Sequence, residues 1–212
     1  MIAVASIEDF LFQIANALRV PVFVAAICAL VFVLFDLGTF SVELSRRRRR
    51  ANARGLEQAS KTARSALLLD DAPAAARALG AIASSGPMAE ALYQLVGYWG
   101  HPKAGDRMAK SLADFDLGSL RRLERTRMLV RFGPALGLMG TLIPLSPALS
   151  GLAKGNVTQL SDNLRVAFSV TVLGLLIGAV AFTISLVRDR LYAQDLSDLE
   201  FVVTELIEED EA

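Results

Sequence analysis

Residues 132–153 read FGPALGLMGTLIPLSPALSGLA and residues 166–187 read VAFSVTVLGLLIGAVAFTISLV. Each stretch is 22 residues long and neither contains a charged side chain. At 1.5 Å of rise per residue, such a run crosses roughly 30 Å of hydrocarbon, so both read as membrane-spanning helices. A third run, residues 20–41, is interrupted only by Asp36. The sequence therefore predicts three spans, over residues 20–44, 131–153 and 165–187, in an all-α integral membrane protein. Composition agrees: 53% of the 212 residues are hydrophobic, above the usual share for a soluble domain.

The net charge is zero, but the charges are unevenly placed. Arginines fill positions 46–50, Arg121, Arg122, Arg125, Arg127 and Arg131 precede the second span, and Arg188 and Arg190 follow the third. If the N-terminus is outside, all twelve fall on one side. The positive-inside rule makes that side the cytoplasm. Lys154 and Arg165 oppose the assignment from the outside loop, residues 154–164 and its edge, and are outnumbered. Residues 1–19 carry no basic n-region, and Glu8 and Asp9 precede the apolar run, so the segment reads as retained rather than as a cleaved signal. Ser6 and Asp9 have capping-box spacing, and Ile7, Phe10, Leu11, Ile14 and Leu18 share a face. This predicts an outside-facing amphipathic helix, with a simple extension of the first span as the alternative. The location expected is a plasma membrane, the inner one in a host with two.

Residues 45–130 form a cytoplasmic insertion. Breakers at residues 70–73, 84–87 and 100–105 divide it into two or three short helices and a long one from about Lys103 that enters the second span. Tyr93, Tyr98 and Trp99 are expected to close a small core there. Residues 188–212 extend the third helix, with Tyr192, Leu196, Leu199, Val203 and Leu206 on one stripe that five copies could bring together as a bundle, followed by an acidic tail. The lone Cys28 excludes a disulfide within the chain, and the lone His101 has no metal-ligand spacing around it. Phosphate-loop, dinucleotide, nucleophile-elbow and zinc patterns are all absent, so neither an enzyme nor a metal or cofactor is expected. The arginines read as a topology signal and a contact for membrane lipids, not as a nucleic-acid site.

What remains is the small-residue pattern. Ala167, Thr171, Gly174, Gly178, Ala181 and Ser185 recur at steps of four and three, and Gly133, Gly137, Gly140 and Pro144 form a matching stripe. Such stripes let helix backbones approach, which in lipid is a main source of association. Thr141, Thr171 and Ser169 add hydroxyls, which either bond their own helix one turn back or line a polar path. Asp36, the only acidic residue well inside a candidate span, has two open roles: a structural ion pair, or admission of protons.

The run Gly133-Pro-Ala-Leu-Gly-Leu-Met-Gly140-Thr141, followed by Ala167-Phe-Ser-Val-Thr171-Val-Leu-Gly174-Leu, resembles the paired signature of the MotA/TolQ/ExbB proton channel family, closest to the TolQ/ExbB branch. The resemblance implies a homo-oligomer, a pentamer, around a single-span ExbD/TolR-like partner. The partner's aspartate would carry protons past the threonines corresponding to Thr141 and Thr171. Two departures stand out: Pro144 replaces a glycine, so the outer half of the second span should be kinked, and Val166 replaces an acidic residue. The second and third spans hold no ionisable relay, which makes the partner's carboxylate more necessary. A non-conducting oligomeric scaffold or signalling subunit is the alternative, and a self-contained channel a third reading.

Overall fold

The structure, a computed structural model, describes residues 2–50 and 55–207. The acidic tail at residues 208–211, the side chains of the Ser6–Asp9 capping box and four of the five arginines at positions 46–50 lie outside the described residues. Among the described residues there are seven helices and no strand: α1 (Ile2–Ala17), α2 (Arg19–Arg50), α3 (Leu56–Leu68), α4 (Ala72–Ile82), α5 (Gly86–Tyr98), α6 (Ala104–Ala153) and α7 (Val157–Ile207). The chain is an all-α membrane protein with three helical segments long and apolar enough to cross a bilayer, residues 12–45 and stretches of α6 and α7.

Local chemistry sets the breaks. Pro21 has no N–H and cannot bond the Ala17 carbonyl, and the helix is interrupted at Leu18. Hydrogen bonds from Leu18 N to Ile14 O and from Val22 N to Leu18 O, both 3.0 Å, carry the chain across. The α3–α4 turn closes with Asp70 at φ 60°, and Asp71 caps α4 by accepting from Ala74 N at 2.9 Å. Ser85 caps α5 by accepting from Met88 N at 3.3 Å. Between α6 and α7 the structure revises the expected loop: only residues 154–156 lie outside helix, and residues 157–164 are helical. Gly155, at φ 75°, ends α6 with its N–H on Leu152 O while Asn156 N bonds Gly151 O. The Asn156 side chain then caps α7 by accepting from Gln159 N at 3.0 Å.

The chain divides into two compact units. In the first, residues 1–38 and 125–185, α2 buries Val22, Ala26, Ala29 and Val33 at helical spacing. Ala29 and Val33 pack with Ile177 and Ala181 of α7, flanked by Leu129, Val130 and Leu136 of α6. Most other apolar side chains here face outward, Phe35, Phe168 and Val172 among them, as does Cys28.

The second unit, residues 39–124 and 186–212, has its own core. Leu79 of α4, Leu92 and Leu95 of α5, Met108 of α6, and Leu199, Val202 and Leu206 of α7 are buried together, with Tyr98 and Trp99 packed at the margin. Tyr93 corrects the expectation, because it is 71% exposed. The buried face of α5 runs through Met88, Ala91, Leu92, Leu95 and Val96, and position 93 points off it. Of the α7 stripe Tyr192, Leu196, Leu199, Val203 and Leu206, the last three take part in this core.

Beside this core lies a buried ionic knot. Arg47 donates from both terminal nitrogens to the two oxygens of Asp195, each at 2.7 Å. Asp195, 1% exposed, also accepts from the hydroxyls of Ser84 and Ser85 at the α4–α5 turn. Arg47 reaches Glu43 at 3.3 Å, and Glu43 in turn accepts from Arg188 at 3.4 Å. Burial opposes the Arg47 charge, but Asp195 and then Glu43 outweigh it and raise the guanidinium pKa.

Candidate functional site: the α6–α7 seam

In the first unit, α6 and α7 meet through glycine backbone. A Cβ placed on Gly174 would lie 2.5 Å from the Gly133 carbonyl oxygen and 2.8 Å from Gly137 Cα. One placed on Gly133 would lie 2.7 Å from Gly174 O and 2.8 Å from Gly178 N. On Gly178 it would meet Pro134 Cδ at 2.9 Å, and on Gly137 the Thr171 Cα at 3.3 Å. These are backbone or ring neighbours that cannot rotate aside, so the two helices sit closer than any side chain would permit. Gly140 meets the Val170 side chain, a β-branched neighbour that the small-residue pattern did not single out. Pro144 is buried on the same face of α6.

The hydroxyls have defined partners. Thr171 Oγ1 lies 3.3 Å from Gly137 O, across the seam, and 3.2 Å from Ala167 O, one turn back on its own helix. One proton is thus shared between two carbonyls, and one of them belongs to the other helix. Thr141 donates to Leu138 O at 2.7 Å, and the exposed Ser169 donates to Arg165 O at 2.8 Å. With their protons directed at backbone, the threonines keep oxygen lone pairs available as acceptors. The structure brings Thr171 together with Gly137 and Gly174, while Thr141 and Ser169 bond only within their own helices in the contacts described above.

Asp36 of α2 lies apart from this seam. Its Oδ2 accepts from the hydroxyl of Thr126 of α6 at 2.9 Å, and Thr126 is 1% exposed. Thr126 had no sequence signal, since one threonine inside an arginine-rich helix belongs to no stripe. Among the described residues, no group of three or more His, Cys, Asp or Glu is placed to hold a metal ion.

A charge-free pair of spans pressed together at glycine and carrying hydroxyls defines a class: helical membrane proteins whose spans pack by small residues. Residues 104–200 of the chain match the model of the MotA/TolQ/ExbB proton channel family. The matched stretch contains α6 entire, most of α7, and every residue of the seam, but neither Asp36 nor Arg47. No curated protein is matched by the chain.

Proposed function

We propose that this chain is a pore-forming subunit of a proton-driven membrane motor, in the TolQ/ExbB branch of that family. It assembles as a pentamer around a single-span ExbD/TolR-like partner, with its N-terminus outside and its C-terminus in the cytoplasm. The observation that carries the reading is the coincidence of the family match with two charge-free spans bearing Thr141 and Thr171. A proton path needs an ionisable relay, and residues 132–153 and 166–187 contain none. The relay is therefore assigned to a carboxylate of another chain.

The threonine geometry supports a division of labour. With its proton on backbone carbonyls, a threonine hydroxyl accepts from a protonated carboxyl. Rotated, it donates to the carboxylate left after the proton departs. The exchange gives up a hydrogen bond whose net worth is about 1 kcal/mol. One elementary charge falling through 100 mV releases about 2.3 kcal/mol, which exceeds that cost. Ser169 lines the outer approach to the path. For Asp36, the hydrogen bond from Thr126 favours a structural role over admission of protons.

Native mass spectrometry of the tagged protein, extracted gently from its own host's membranes, tests the assembly. Five copies with a small single-span companion support the motor, whereas repeated isolation of an oligomer without one favours a scaffold or a self-sufficient channel. Thr141→Val and Thr171→Val, each matched in shape, are expected to leave the oligomer intact and to cut proton flux of the reconstituted complex at least tenfold. Undiminished flux in both variants would remove the threonines from the path.

A further inference from the structure

The knot joining Arg47, Asp195, Glu43, Ser84 and Ser85 lies wholly within the second unit and has no part in the proton path proposed above. A pair this deeply buried is a poor source of net stability, because desolvation offsets the attraction, and well-packed apolar side chains of similar volume often do as well or better. Here the cost is visible: Arg47 Nε is buried with no hydrogen-bond partner. What the pair adds is direction. Both terminal nitrogens of Arg47 meet both oxygens of Asp195, an arrangement that a shift of one residue would destroy. The same carboxylate holds the two hydroxyls of the α4–α5 turn. Beside it, Arg188 of α7 lies over the Phe40 ring of α2 and donates to Glu43 at 3.4 Å and to the Thr39 hydroxyl at 3.3 Å, contacts that do not include the α4–α5 turn.

We infer that the Arg47–Asp195 pair is a register pin, retained to select one axial alignment of α2 against α7 and to fasten the α4–α5 turn to it, not to add stability. In the contacts described above, it is where α2, α7 and that turn are tied by charge and direction together. This inference does not rest on the motor reading.

The test is the double variant Arg47→Met with Asp195→Leu, in the full chain in detergent and in a Cys28→Ser background. Spin labels go at the exposed positions Val42 of α2 and Arg190 of α7, with the labelled chain diluted in unlabelled copies. Without the two pin substitutions, the labels should give one narrow distance. In the double variant the melting temperature should be held or raised, while the distance broadens or splits by about 5.4 Å, one helical turn. Amides of residues 84–88 should then exchange at least tenfold faster. A double variant that keeps the narrow distance and the slow exchange overturns the inference. So does one that melts well below the parent, because the pair would then be a source of stability.

Discussion

The Thr171 hydroxyl bonds carbonyls of two helices, and the Thr126 hydroxyl ties α6 to the Asp36 carboxylate of α2. Thr171 sits in a repeating stripe, so spacing alone places it on the seam. Thr126 gains its meaning from Asp36, ninety positions earlier, and no local pattern links them. Likewise nothing in a run of five arginines marks Arg47 as buried; that depends on helix phase and on Asp195, 148 positions away. Thr126→Val keeps the shape and removes the donor to a charged acceptor, so it should destabilise the solubilised protein by about 1.5–3 kcal/mol, readable by denaturant titration. Tyr192 offers a pH test. Burial, and then Glu43, raise its phenol pKa above 10.0 against the opposing arginines Arg188, Arg122 and Arg47. A folded value raised in this way gives a contribution that is complete below the unfolded value and lost as pH climbs through the folded one. Melting temperature followed from pH 8 to 11 should therefore fall less steeply for Tyr192→Phe than for the parent protein.

At the level of the helices, glycines divide into two kinds that sequence alone treats alike. A Cβ on Gly174 would meet backbone at 2.5 Å, whereas one on Gly118, inside α6, would meet nothing within 4 Å. Gly174→Ala is expected to cost about 1–3 kcal/mol through overpacking and to reduce the yield of folded protein. Gly118→Ala should stabilise by about 1 kcal/mol, the ordinary helix-interior difference. Comparative melting of the two variants checks both signs. Periodicity revealed the spans, the long helices and the breakers, because each depends on neighbours in the chain. It misplaced Tyr93, where aromatic character suggested a core position that helix phase denies. It also made the outer loop too long: polar residues 157–164 look like loop, yet Asn156 starts a helix through them.

For the whole molecule, the two cores are made of different material. One gathers leucines and alanines of short helices around the end of α7; the other is a narrow glycine seam in helices that bury only 22% and 33% of their most apolar windows within the chain. Urea acts on the first more than on the second. Circular dichroism in detergent should accordingly show loss of part of the helix signal while the spans persist, and a single cooperative loss of all helix would contradict that. The prolines of α6 carry one more consequence. Pro134, Pro144 and Pro147 stand inside the helix and cannot donate to the carbonyls of Val130, Gly140 and Ile143. A carbonyl without its amide in hydrocarbon must find another donor. Water is one such donor, and where it serves, a carbon-13 label at the Gly140 carbonyl should show an infrared band that shifts when the surrounding water is exchanged for deuterium oxide.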